Sequence, residues 1–163
     1  MKTLLPIAGE IAEILKARKE TIGIAESSTG GLISAALLSV PGASAYYLGG
    51  SVIYTRQARS ALTTITDDQM RKVVRASTEP YAALLAKQAR EQLGATWALS
   101  ETGATGPGGN RYGDAAGHSC MAVSGPVDAV ITLETGSPDR EANMRAFALR
   151  ALTLLKDTLA KAR

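Results

Sequence analysis

The chain has 163 residues, the length of one ordinary domain with a core of its own, and its single cysteine, Cys120, excludes an internal disulfide and a cysteine-rich zinc site. Its 18 basic and 15 acidic residues leave a net charge of +3. That charge is spread along the sequence, with no dense basic run and few aromatics to stack bases, which speaks against a nucleic-acid binder.

The opening stretch "MKTLLPIAGEIAEILKARKE" begins with a short apolar run that Pro6, Glu10 and Glu13 interrupt. It reads as neither a signal peptide nor a membrane span, so a soluble cytoplasmic protein is the expectation. Ile7, Ile11, Ile14 and Leu15 recur at helical spacing and predict an amphipathic first helix. Residues 21–25 predict a short β-branched strand, and residues 30–38 a mostly apolar, buried helix that the Pro-Gly turn in "VPGAS" stops. Residues 46–55, "YYLGGSVIYT", read as a strand broken at Gly49 and Gly50 and ending at Tyr54. A helical turn after it would put Arg56 and Arg59 on one side.

"DDQM" opens a short helix, and Ser77 or Thr78 caps a longer one that runs to about Leu93, with Glu79 and Pro80 in its first turn. Residues 96–100, "TWALS", form a buried strand with Trp97 in the core, followed by the glycine-rich "ETGATGPGGNRYGDAAG". Residues 118–124 and 127–134 pair as a hairpin, and Ser137 caps a last helix that reaches about Lys161. Helices mixed with strands and one terminal hairpin predict an α/β fold, a mixed sheet covered on both faces, in one domain over residues 1–163.

In open α/β sheets ligands sit where strands pass into helices. Two segments have that character here, "AESSTGG" after the first strand and "ETGATGPGGN" after "TWALS". Glycines let backbone N–H groups approach an anion, so the two loops could form a phosphate cradle or an oxyanion hole, or serve only as turns. Neither has the spacing of a P-loop or of a dinucleotide fingerprint. Thr29 is the expected N-cap of the helix after the first loop. A reactive serine needs a base, and the one histidine, His118, lies at a strand start where it shares a face with Cys120. Those two read as strand residues, with no metal site. The alternatives are a Ser-Lys or Ser-Tyr arrangement, with Tyr54 as the phenol. Arg56 and Arg59 cannot act as bases, but a guanidinium can clamp a phosphate with its fork.

"AESSTGG", "SVPGASAYYLGGSVIYTRQAR", "STEP", "GATGPGG" and "SPDREANMRAFALRAL" follow one another in the order found in the CinA C-terminal domain. Over almost its whole length the chain resembles this competence/damage-inducible protein family, which includes nicotinamide-nucleotide amidohydrolases. The resemblance implies a three-layer α/β/α sandwich that associates as a dimer or larger homo-oligomer. It implies hydrolysis of nicotinamide mononucleotide to nicotinate mononucleotide and ammonia, with a small-molecule nucleotide as substrate and no metal or organic cofactor; the residues themselves lead us to expect no nucleic-acid and no membrane partner. The nucleophile of the family's Ala-Glu-Ser-Cys-Thr-Gly-Gly motif falls on Ser27, amid Glu26, Ser28, Thr29, Gly30 and Gly31. A supporting Tyr and Lys fall on Tyr54 and Arg59, and a phosphate-binding Arg falls on Arg140. The family's glycine loop falls on residues 103–107, with Gly103, Thr105 and Gly106 around the substrate.

The chain departs from the family at Arg59, where active members carry Lys, and at Ser28, where Cys is usual. Glu101 stands at a normally apolar position and is expected to add a carboxylate to the pocket rim, and "GGNRYGDAAGH" differs from the usual run. Tyr54, Glu26 or Glu101 could replace the missing lysine as proton acceptor. In the competing reading Arg59 pairs with Glu101, and the protein binds a pyridine nucleotide with little turnover.

Overall fold

Side chains alternate across a strand. In β1 (Ile22–Glu26) this sends Ile22, Ile24 and Glu26 to one face and leaves only Gly23 and Ala25 on the other. The computed structural model describes residues 1–162 and places β1 inside a five-stranded mixed sheet of order β2-β1-β3-β4-β5. The other strands are β2 (Tyr47–Val52), β3 (Trp97–Ala104), β4 (His118–Ser124) and β5 (Ala129–Glu134). β1 pairs in parallel with β2 and β3, and the β3–β4 and β4–β5 pairs are antiparallel. The expected hairpin is β4–β5.

Three helices cover the face of Ile22 and Ile24: α1 (Leu5–Arg18), α2 (Leu32–Leu38) and α6 (Arg140–Lys161). Ile11, Leu37, Phe147 and Leu155 from these helices pack on Ile24, Leu99 and Met121 in one continuous core. Each fully buried aliphatic there contributes about 1.5–3 kcal/mol. The opposite face carries small residues, Ala25, Ala98, Ser100 and Ala122, so α5 (Glu79–Leu93) lies close through Tyr81, Leu85 and Ala86. Ser100 Oγ donates to the Ala82 carbonyl across this contact at 2.6 Å. The result is a sheet between two helical layers, an α/β/α sandwich.

Several boundaries differ from those the sequence predicts. β2 runs unbroken through Gly49 and Gly50, which pair with Gly23 and Ile24. It ends at Val52, because Thr55 turns to cap α3 (Arg56–Leu62) by accepting from the Ala58 N–H. α3 is therefore a helix where the sequence predicted a single turn. α4 (Asp67–Val73) follows behind a Thr66–Gln69 capping box. Thr78 caps α5 as expected. β3 continues four residues beyond Ser100, since Glu101, Thr102, Gly103 and Ala104 pair with β4. The cap of α6 is Asp139, which accepts from the Ala142 N–H, while Ser137 Oγ, two residues earlier, accepts from the Asp139 N–H.

Candidate active site

The strand period that buries Ile24 and Leu99 also buries the next residues on the same face, Glu26 at the end of β1 and Glu101 in β3. Burying a carboxylate is costly unless its oxygens are hydrogen-bonded, and both of these are. Glu26 accepts from the backbone N–H groups of Gly31 (3.0 Å), Ile33 (3.1 Å) and Ser34 (2.8 Å) and from the hydroxyls of Thr29 (2.8 Å) and Ser34 (2.6 Å). It closes the start of α2 from within the sheet, where orphan N–H groups favour negative charge.

Glu101 accepts from the N–H groups of Ser27 (3.1 Å) and Thr29 (2.9 Å), from the hydroxyls of Thr29 (2.9 Å) and Ser119 (3.1 Å), and from Ser28 Oγ. Burial pushes the Glu101 carboxyl above the usual carboxylate range, against the pull of the Ser28, Thr29 and Ser27 hydrogen bonds.

These contacts correct four expectations. Thr29 is not the N-cap of α2: that position is Gly31, at φ 100, and the Thr29 hydroxyl shares its one proton between the two carboxylates, within hydrogen-bond distance of both. Glu101 lies beneath the loop, fully buried, and adds nothing to a rim. Glu26 and Glu101 both hold the backbone of the loop, and neither lines the cavity that Ser27 faces, so neither is placed to take its proton. Arg59 does not pair with Glu101; its nearest carboxylate is Asp67, at 3.8 Å.

The Ser27 side chain borders a cavity of about 680 Å³ at the carboxyl ends of β1 and β3, shared with Tyr54, Arg56, Arg59 and Gly103. Among the described residues no hydrogen bond holds the Ser27 hydroxyl. Most N–H groups of its loop are taken. Those of Ser27 and Thr29 end on Glu101, that of Gly30 on the Ser27 carbonyl, and that of Gly31 on Glu26. The Ser28 N–H is left without a partner among the described residues.

Gly103 has no room for a side chain, because a Cβ there would lie 2.5 Å from the His118 carbonyl and 2.7 Å from Ser119 Cβ. Thr105 and Gly106 lie outside the lining. Their carbonyls accept from Asn143 Nδ2 (2.8 Å) and Arg140 Nη1 (2.7 Å), which ties this loop to α6. Arg140 Nη2 donates to the Tyr54 hydroxyl at 3.0 Å, so Arg140 steadies Tyr54, which is 58% exposed at the mouth of the cavity.

Sequence reasoning missed the rest of the lining, which includes Arg71, Arg75, Ser77, Tyr81, Arg111 and Tyr112. Arg75 grips Asp114 with both arms of its guanidinium, at 2.5 and 3.0 Å, and holds its carboxyl down at about 2. Tyr81 stands at the start of α5; burial pushes its phenol up while Arg59 pulls it down. The available signal was four arginines between Thr55 and Ala76. His118 and Cys120 do share a strand face, 3.7 Å apart, and no group of described residues is arranged to hold a metal ion. No described helix is long and apolar enough to cross a membrane.

Comparison with known proteins adds three findings. A family model described as the CinA C-terminal domain matches residues 5–159. The CinA-like protein of Prochlorococcus marinus (strain MIT 9313) is 38% identical over 120 residues, 74% of this chain and 28% of that protein. The CinA-like protein of Parasynechococcus marenigrum (strain WH8102) is 32% identical over 155 residues, 94% of this chain and 37% of that protein. The chain thus spans about a third of the length of these curated relatives. Among solved structures, a competence-damaged protein (CinA) superfamily member from Klebsiella pneumoniae superposes with a TM-score of 0.89 at 24% identity, over 97% of this chain and 98% of that one. The competence/damage inducible protein CihA from Agrobacterium tumefaciens gives 0.86 at 25% identity, over 95% and 94%.

Proposed function

Because the chain belongs to the CinA C-terminal domain family, we propose that it hydrolyses the carboxamide of nicotinamide mononucleotide, giving nicotinate mononucleotide and ammonia. The observation that carries this reading is Ser27, a serine at the exit of a central strand. Its hydroxyl borders an arginine-lined cavity, while two buried carboxylates hold its own N–H and the backbone that follows it.

In this mechanism Ser27 Oγ attacks the carboxamide carbon and the carbonyl oxygen takes up the electron pair. The Ser28 N–H is the donor left for that oxyanion, since its neighbours are engaged. Of the three proton acceptors the sequence offered, only Tyr54 lines the cavity, so it is assigned the serine proton and passes it to the departing nitrogen. The C–N bond breaks, ammonia leaves, and water hydrolyses the Ser27 ester to release the acid. Arg140 is committed to Gly106 and Tyr54, so the substrate phosphate falls to Arg56 and Arg59. Glu26, Glu101, Thr29, Gly30 and Gly31 shape the loop that presents Ser27.

Formation of nicotinate mononucleotide by the purified chain tests this reading, with Ser27→Ala and Arg59→Lys beside the parent. Turnover in the parent that Ser27→Ala lowers by at least about a thousandfold supports it. A silent parent that gains turnover in Arg59→Lys would contradict it and mark a homologue that binds its nucleotide without hydrolysis. That second reading has one observation in its favour: among the described residues no lysine or histidine lines the cavity, and its one carboxylate, Asp67, faces Arg59.

A further inference from the structure

Five arginines line the Ser27 cavity: Arg56 and Arg59 from α3, Arg71 from α4, Arg75 from the segment after it, and Arg111 from the loop before β4. Three of them have carboxylate partners. Asp68 neutralises Arg71, Asp114 neutralises Arg75, and Asp67 stands 3.8 Å from Arg59. The Asp67 contact is too long for a hydrogen bond, and Arg59 Nε is buried with no partner among the described residues. A buried donor left in that state is costly, and an anion in the cavity would relieve it.

Arg56 and Arg111 have no ion pair among the described residues. Arg111 rests on Tyr112 instead. It donates to the phenol oxygen at 2.9 Å, with its guanidinium 5.0 Å from the ring centroid, and Arg75 lies 5.2 Å from the same ring. Uncompensated positive charge therefore stands on two separate segments, one on α3 and one on the 110–112 loop. A mononucleotide with a single phosphate and a cationic pyridinium ring answers only one of them.

We infer that the cavity accommodates a nucleotide carrying two phosphoryl groups, one held by Arg56 and Arg59 and the second by Arg111. This rests on reading the cavity as a nucleotide site, and not on amide hydrolysis. Guanidinium groups suit the task because each can present two parallel N–H donors to phosphate oxygens. Tyr112 and the Arg75–Asp114 pair hold the 110–112 loop so that Arg111 faces the cavity.

The test is isothermal titration of the full chain, at one fixed salt concentration because exposed charges are screened. The probes are inorganic phosphate, inorganic pyrophosphate, nicotinamide mononucleotide and adenosine 5′-diphosphate. Both diphosphates are expected to bind at least about tenfold tighter than both monophosphates, and Arg111→Gln is expected to erase most of that ratio. Lys72→Gln removes the same unit of charge from an exposed residue outside the lining, and the ratio is expected to persist in it. Equal affinity for the two classes overturns the inference. So does a ratio that falls as far in Lys72→Gln as in Arg111→Gln, since bulk charge would then explain it. A diphosphate preference with no turnover of nicotinamide mononucleotide leaves the inference standing and removes only the hydrolase reading. Turnover with no diphosphate preference does the reverse.

Discussion

Glu101 holds its loop through donors on both oxygens, and those donors differ in kind. Oε2 accepts from the fixed N–H groups of Ser27 and Thr29, while Oε1 meets only the hydroxyls of Ser28 and Ser119, which can rotate to accept instead. A glutamine can therefore reproduce the pattern, with its carbonyl toward the backbone and its amide toward the hydroxyls. Glu101→Gln is expected to stay within about 1 kcal/mol of the parent in urea unfolding, whereas Glu101→Ala strands buried donors and loses more than about 3 kcal/mol. Equal losses in the two variants would show that the carboxylate charge, and not the bonding pattern, holds the loop. The sequence singled out Glu101 but misjudged its place. Trp97, Leu99 and Glu101 alternate on one face, which is visible in the residues, yet the glycines of "ETGATGPGG" hid the continuation of the strand. Arg59 was legible as a departure, and its partner Asp67 was not, because that contact depends on how α4 folds back.

The β4–β5 hairpin braces the cavity wall from behind, where His118 meets the carbonyl of the lining residue Ser77. Its Nε2 faces the Ser77 carbonyl at 2.9 Å and its Nδ1 faces Glu134, with Asp114 3.9 Å away and the Cys120 thiol alongside. Two acceptors on two ring nitrogens call for the doubly protonated ring. Burial opposes that charge, but the Glu134 and Ser77 hydrogen bonds and the Asp114 and Glu134 charges outweigh it and raise the His118 pKa above 6.5. A folded-state pKa above the unfolded one gives stability that is complete below pH 6.5 and lost as pH rises through the raised value. The melting temperature is therefore expected to fall in the parent as pH rises from 6.5, and to respond less to pH in His118→Gln. The same fall in His118→Gln would refute the assignment. Asp114 has the opposite sign: its contribution is complete above pH 3.8 and is lost as pH falls toward about 2. The hairpin itself was readable from the two strand-like runs that "SGP" joins, but its partners in residues 75–77 and 110–114 come together only in three dimensions.

Across the whole molecule, the order of helices and strands was enough to predict a mixed sheet between helical layers, and the match to CinA superfamily structures agrees. The cavity was less legible. Its arginines come from residues 56–59, 71–75 and 111, and only the packing of α3, α4 and the loop before β4 brings them to the carboxyl edge of the sheet. Periodicity carries no information about such a juxtaposition. Assembly follows the same logic: the family resemblance leads us to expect particles of at least twice the 16.9 kDa chain mass, which light scattering on the eluting protein checks, and a particle of single mass would count against it.

The central claim is that Ser27 forms a covalent ester with the substrate acyl group. Turnover of nicotinamide mononucleotide with added hydroxylamine tests it most directly, with ammonia, acid and hydroxamate all counted. The parent is expected to divert part of its product from acid to hydroxamate while still releasing ammonia, and Ser27→Ala is expected to give none of the three. Ammonia release from Ser27→Ala at the parent's rate would contradict it.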